Sequence, residues 1–423
     1  MKERILIDFK RVSKYLFDIA RWSVIALVIG LVGGLVGVAF HVSVEKVTLL
    51  REGHQWIIYL LPVGGLVIAG LYKLCRLEKA GTNDVISSVR DEDNVPIMLP
   101  PLIFVSTVIT HLFGGSAGRE GAALQLGGGI GTQIGRLFHL DRKDVNLAIL
   151  CGMSGVFAAL FGMPLTATLF ALEVISVGIV YYAGFIPCLI SSLVAYYVSL
   201  MFKVAPVRFE IANLPSYEPK TFLRVAALSA LVAGLSILFC LAMHYTEVLS
   251  RKLFKNAFVR AAAGGAVIIV LTLIFGHDYN GAGMDVIEKA VEGGSAVGYA
   301  FLLKLVFTAV TIGSGYKGGE IVPTLFIGST FGCVCGALVG LDPGFGAAIG
   351  MVAMFCGAVN CPIASVFLSI EIFSASGLLF FAVACGIGYL LSGYFGLYSS
   401  QKIMYSKTRA EFINIKAWHD LDV

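Results

Sequence analysis

An acid enclosed by glycine is the first residue in this chain whose surroundings invite chemistry. Glu120 sits in Gly118-Arg119-Glu120-Gly121, behind Gly114-Gly115-Ser116 and ahead of an apolar run. That run reads as a helix start, which puts the carboxyl beside backbone N–H groups the helix leaves unpaired. A small anion suits the same donors. An ionised side chain and an anion therefore contend for one cluster of amides. Protonation releases the side chain, so anion movement becomes tied to proton movement. The bland alternative is a residue that only caps its helix or pairs with Arg119. An ionisable group inside an apolar region argues for the functional reading.

A second glycine loop, Gly315-Tyr316-Lys317-Gly318-Gly319-Glu320-Ile321-Val322-Pro323, also opens a helix. Pro323 suits a first helical turn, and the amides of Glu320 and Ile321 before it are left free as anion donors. Glu320 itself stays open between a second titrating acid, a partner for Lys317 and an outward residue at a helix end, with the structural readings preferred. Glu173 and Glu371 follow Pro164 and Pro362 by nine residues each. They read as acids that tie a helix end to neighbouring backbone. His41 and His111 read as satisfied core residues. The nine cysteines show no metal-ligand spacing, and no nucleophile stands beside a base. The sequence therefore offers no metal site, no cofactor site and no enzyme chemistry.

The elements that must hold these residues are apolar. Of 423 residues, 57% are hydrophobic and 14% charged, and the formal charge is +4. A water-soluble surface cannot be built from that composition, and no nucleic-acid face is indicated. Many apolar stretches are shorter than the ~20 residues of a straight span, or are cut by Gly and Pro. The opening MKERILIDFKRVSKYLFDIARW is too charged for a signal peptide. It reads as a basic amphipathic helix in the cytosol.

Glycine concentrates at 114–131, 313–323 and 344–350. Broken backbone in lipid is tolerated only where it is buried in protein or lines a wet cavity, so these stretches are expected to mark a site.

An internal repeat sets the architecture. Residues 162–174 match 360–372 at an offset of 198, Pro164 on Pro362 and Glu173 on Glu371. The same offset lays Gly115-Ser116 on Gly313-Ser314, Arg119 on Lys317 and Gly121 on Gly319. The expected plan is a cytoplasmic helix over 1–21, repeats over 22–205 and 222–403, a linker over 206–221, and a short cytoplasmic tail over 404–423. Duplicated halves with broken helices are the general plan of secondary transporters. The fold class is an all-α polytopic membrane protein with two inverted repeats and re-entrant helices.

At the level of motifs, the chain resembles the CLC family of chloride channels and proton-coupled anion exchangers. GREGA at 118–122 is similar to that family's GREGP or GKEGP loop, which carries the gating glutamate. GGEIVP at 318–323 is similar to its GxFxP loop. Gly396-Leu397-Tyr398-Ser399 resembles the segment whose tyrosine hydroxyl donates to the central anion.

The departures from the family pattern are specific. The family's GSGIPE falls near Gly81-Thr82-Asn83-Asp84-Val85 without its serine and proline. Ala122 replaces proline, Ile321 replaces phenylalanine, and Val174 stands where chloride exchangers carry an inner proton-transfer acid. Together they are similar to the fluoride-specific bacterial branch, the fluoride/proton antiporters. Fluoride is strongly hydrated, and the Asn83 amide supplies a donor that an apolar residue lacks.

The resemblance implies an anion cradled by Gly118, Arg119, Gly121, Gly319, Glu320, Ile321 and Val322, with Thr82, Asn83 and Tyr398, and gated by Glu120. It further implies a homodimer with one pore per subunit in the plasma (inner) membrane, both termini cytoplasmic. Its partners are fluoride or chloride, protons and the lipid bilayer. A chloride/proton exchanger or a passive chloride channel of the same family are the alternatives.

Overall fold

The computed structural model describes residues 2–91 and 95–418, the side chains of 2–11 and 91 excepted. The first half contributes α1 (Lys2–Gly53), α2 (Leu61–Leu74), α3 (Thr82–Asp91), α4 (Leu99–Leu112), α5 (Glu120–Leu137), α6 (Arg142–Phe161), α7 (Pro164–Glu173) and α8 (Phe185–Met201). The second contributes α9 (Pro219–Leu253), α10 (Ala257–Phe275), α11 (Met284–Val291), α12 (Ala300–Gly313), α13 (Ile321–Leu338), α14 (Pro343–Val359), α15 (Pro362–Phe373) and α16 (Leu378–Leu391). Seven helical stretches among the described residues are long and apolar enough to cross a membrane. The remaining helices are too short or too polar, as the broken apolar runs require.

The N-terminal segment 1–21 is not a separate element in the described part, since α1 runs unbroken from Lys2 to Gly53. Nor are the described residues beyond 403 a bare tail. Strands β1 (Ser176–Val177), β2 (Lys402–Tyr405) and β3 (Phe412–Lys416) form a three-stranded sheet, β1 parallel and β3 antiparallel to β2. The loop between β2 and β3 inserts Lys407, whose amine donates to Asn360 Oδ1 at 2.5 Å, Tyr389 O at 2.8 Å and Ser392 Oγ at 3.0 Å. The all-α fold thus carries one small sheet clamped to its helices.

Much of the glycine serves packing. A Cβ on Gly127 would lie 2.2 Å from the carbonyl oxygen of Gly152, and one on Gly131 would lie 2.1 Å from that of Ala148. In the second half, a Cβ on Gly328 would lie 2.5 Å from Gly350 O and one on Gly332 would lie 2.3 Å from Gly346 O. Helices α5 and α6, and likewise α13 and α14, touch backbone to backbone, which only small residues allow. The glycines of 127–131 and 344–350 therefore do not mark a site, contrary to the sequence reading; those of 114–121 and 313–319 remain in the two loops.

The repeat follows two registers rather than one. Helices α7 and α15 stand 198 residues apart, with left-handed Gly162 and Asn360 before them. Helices α5 and α13, and left-handed Gly114 and Gly315, stand 201 apart. The difference is absorbed in α14, which has 17 residues against 20 in α6, close to one helical turn. Arg119 thus corresponds to Glu320 and Glu120 to Ile321; the alignment of Arg119 with Lys317 is overturned. It arose because a Gly-Ser pair happens to occur at both 115–116 and 313–314.

The two halves also close each other's helices. Pro164 and Pro362 sit in the first turns of α7 and α15 and carry no N–H to satisfy. The next two donors go to the other half's acid. Leu165 N and Thr166 N reach the Glu371 carboxylate at 3.0 and 2.8 Å, and Ile363 N and Ala364 N reach that of Glu173 at 3.1 and 2.8 Å. Both acids tie helix ends to backbone, as their spacing after proline suggests.

Candidate anion and proton site

Helices α4 and α12 each end in a glycine loop, and the two loops meet. Gly118 N donates to Gly319 O at 2.7 Å and Gly319 N donates to Gly118 O at 2.8 Å, an isolated antiparallel bridge. Side chains from the opposite half brace it: Ser116 N bonds Thr311 Oγ1 at 3.1 Å, and Lys317 N bonds Thr110 Oγ1 at 3.3 Å. The amides of Gly118 and Gly319 are therefore occupied by each other. They do not stand open to an ion, which narrows the cradle expected from sequence.

Glu120 begins α5 and is fully buried. Its side chain folds back onto the bridge. A Cβ on Gly118 would lie 2.1 Å from Glu120 Oε2, and one on Gly319 would lie 2.7 Å from it, so the carboxyl occupies a slot that only these glycines leave open. The amides of Glu120 itself, Arg119 and Val322 face it, yet neither carboxyl oxygen completes a hydrogen bond.

Two cavities approach this point without sharing a lining residue. The first, of about 530 Å³, is lined by His41, Arg51, His111 and Arg119 among others. Arg119 Nη1 donates to His41 Nδ1 at 2.8 Å, and His41 Nε2 lies 3.7 Å from the exposed Glu45 carboxylate. The His111 Nε2–H donates to Gly118 O at 3.3 Å, while Arg51 Nη1 donates to His111 O at 3.1 Å. Both histidines are satisfied, as read from sequence, but they are satisfied by the loop that carries Glu120, and nothing in their spacing announces that. Lys304 is also fully buried, its amine on Tyr279 O at 3.2 Å and Gly281 O at 2.7 Å.

The second cavity, of about 190 Å³, is lined by Thr82, Asn83, Gln125, Lys317, Gly318, Glu320 and Tyr398 among others. Gln125 Nε2 donates to Thr82 Oγ1 at 3.0 Å, and Thr82 Oγ1 reaches Gly121 O at 3.4 Å. Asn83 Oδ1 accepts from both Ser400 N and Ser400 Oγ, at 3.1 and 3.0 Å, and its Nδ2 makes no bond among the described residues. The Tyr398 hydroxyl is buried without a partner. Lys317 does not pair with Glu320; its amine lies 3.4 Å from Ala80 O and 4.2 Å over the Tyr72 ring.

Buried polar atoms without partners are rare and call for an explanation. Here Glu120 Oε1 and Oε2, Glu320 Oε2, Gln125 Oε1 and Tyr398 OH are all of this kind, and all belong to the loops or the second cavity. The carboxyl oxygens can take a proton, and the hydroxyl, the Asn83 amide and the amides of Arg119 and Val322 can donate to an anion. Among the described residues no group of three or more His, Cys, Asp or Glu side chains is disposed to hold a metal. Sequence reasoning placed Glu120, Asn83, Thr82, Tyr398 and Glu320 near this point, and the structure brings them together. It missed Gln125, which a polar residue in an apolar run less than two turns from Glu120 could have flagged.

The chain has relatives among known proteins, in sequence and in fold. The sequence model of the family described as "Voltage gated chloride channel" matches residues 64–393. A chloride/fluoride channel protein of Pseudomonas syringae pv. tomato is 35% identical over 399 residues, covering 92% of this chain and 88% of that one. An H(+)/Cl(-) exchange transporter of Vibrio cholerae is 26% identical over 385 residues, covering 82% and 81%. The crystal structure of a CLC-type fluoride/proton antiporter superposes with a TM-score of 0.88 at 30% identity, over 91% of this chain and 98% of that one. A slow cyanobacterial Cl-/H+ antiporter, at 18% identity and a TM-score of 0.77, shares the fold. The chain belongs to the voltage-gated chloride channel family, the CLC anion channels and transporters.

Proposed function

We propose that this protein exports fluoride in exchange for protons, with Glu120 as both gate and proton acceptor. The observation that carries this is the Glu120 carboxyl, unbonded in the glycine slot over the Gly118–Gly319 bridge and between two separate cavities. Ionised, the side chain takes the amides of Arg119 and Val322. Protonated, it loses its attraction to the positive end of α5 and leaves them to the anion. The cavity with His41, Arg51 and Arg119 is the outer one and exchanges protons; the cavity with Asn83 and Tyr398 is the inner one and admits the anion.

Fluoride is favoured over chloride by two donors that line one cavity. The unbonded Asn83 Nδ2 and Tyr398 hydroxyl replace part of the hydration that a small anion gives up. The 30% identical fluoride/proton antiporter and the 35% identical chloride/fluoride channel protein support this assignment. Val174, an apolar residue where chloride exchangers carry an acid, argues against the chloride/proton alternative. The protein then works as a homodimer in the plasma membrane with both termini in the cytosol, and inward proton movement drives fluoride out.

Flux from reconstituted vesicles tests this directly. A fluoride electrode should record efflux accelerated by an opposing proton gradient and little chloride flux, and Glu120→Gln should abolish the coupling to protons. Equal chloride flux would assign the protein to the chloride exchangers, and efflux indifferent to the proton gradient would make it a channel.

A further inference from the structure

Asn83 and Tyr398 come from opposite ends of the chain, yet one turn governs both. The segment Tyr398 to Gln401 is closed by Gln401 N donating to Tyr398 O at 3.0 Å. Inside it, Ser400 directs both its backbone N–H and its hydroxyl at a single atom, Asn83 Oδ1. An asparagine side chain presents an acceptor on one edge and two donors on the other, and a half-turn of the amide exchanges them. Here the half-turn would set the Asn83 N–H₂ against the Ser400 N–H, donor against donor, and lose that bond, whereas the Ser400 hydroxyl, able to accept as well as donate, would only have to turn.

Ser400 is itself held in place. Arg90 Nη1 donates to Ser400 O at 2.8 Å and to Ile175 O at 3.4 Å. Two residues further on the chain enters β2, which pairs with β1 beside the end of α7.

We propose that Ser400 is a positioning residue for anion selection: it fixes the Asn83 amide so that its N–H₂ edge faces the ion, and the site presents donors without an acceptor. The proposal rests on the reading above that Asn83 and Tyr398 bind the transported anion. A site in which the amide is free to turn sometimes offers the ion a carbonyl oxygen. Fluoride, which loses more on leaving water, suffers more from that than chloride, so Ser400 controls preference as well as affinity.

Binding calorimetry with fluoride and with chloride on Ser400→Ala, Ser400→Thr and Asn83→Ala, and on Ser400→Ala combined with Asn83→Ala, decides the matter. Ser400→Ala keeps the backbone donor and loses the hydroxyl, so fluoride binding should weaken ~3- to 10-fold. Chloride should change less, and Ser400→Thr should restore the parental ratio. In the Asn83→Ala background, Ser400→Ala should change nothing further. If it weakens fluoride as much there as in the parent, or if it shifts both halides equally with an unchanged melting temperature, Ser400 does not act through Asn83. Should the parent bind chloride and not fluoride, the proposed function fails, while the same cycle read on chloride still decides whether Ser400 orients Asn83.

Discussion

Glu173→Ala strips α15 of two partners at once, and the cost can be worked from the geometry. Ile363 N and Ala364 N lose a carboxylate 3.1 and 2.8 Å away, and Glu173 is buried, so water does not replace it. Hydrogen bonds to an ionised group contribute about 1.5–3 kcal/mol each, which sets the loss at about 3–6 kcal/mol. The mirror variant Glu371→Ala frees Leu165 N and Thr166 N at similar distances, but Glu371 is only partly buried. Water reaches the freed donors there, and about half that loss is expected. Glu173→Gln keeps one acceptor oxygen without the charge and should fall between Glu173→Ala and the parent.

Thermal unfolding in detergent, followed by far-ultraviolet circular dichroism, should therefore rank Glu173→Ala lowest, Glu371→Ala next and the parent highest. A Glu173→Ala protein that melts with the parent, or an inverted order, would refute the cap. Parental stability with lost proton coupling would instead move Glu173 from scaffold to transport.

Other substitutions probe different parts of the molecule. Asn83→Ala and Tyr398→Phe should each weaken fluoride binding roughly tenfold, the loss of one donor to an anion, with little change in melting; full affinity in both, measured by calorimetry, would displace the site. Gly319→Ala puts a Cβ 2.5 Å from Gly121 N and 2.7 Å from Glu120 Oε2, so it should part the loops and abolish flux from vesicles; normal flux would show that the bridge is dispensable. Gly152→Ala drives a Cβ to 2.0 Å from Gly127 O and should lower stability by about 1–3 kcal/mol or more, whereas Gly53, with open space around it, should accept alanine without change in the same melting assay.

What could be read from sequence divides along a physical line. A helix start is local, so glycine before an apolar run placed one beside Glu120, where α5 begins. The proline-to-glutamate spacing likewise exposed Glu173 and Glu371, because both copies keep it. The Gly118–Gly319 bridge left no trace, since it is made of main-chain atoms 201 residues apart. Glycine was overread for a related reason: a residue without a side chain looks the same whether it lets an ion, a carboxyl or another helix approach. The repeat was found but its register drifted, because an identity of two small residues outweighed a missing turn in α14. His41 was invisible as a loop partner because its link to Arg119 joins residues 78 positions apart.

The crossed glutamates also set conditions on how the protein is made. Leu165 leaves the ribosome 206 residues before Glu371 does, an interval of about 10–40 s at ordinary elongation rates. Throughout it the nascent first half carries a helix start it has no means of finishing, and when the second half arrives its own start waits on an acid already in the membrane. A chain severed in the exposed stretch 212–214 should therefore yield pieces that mature only when both are translated in the same cell.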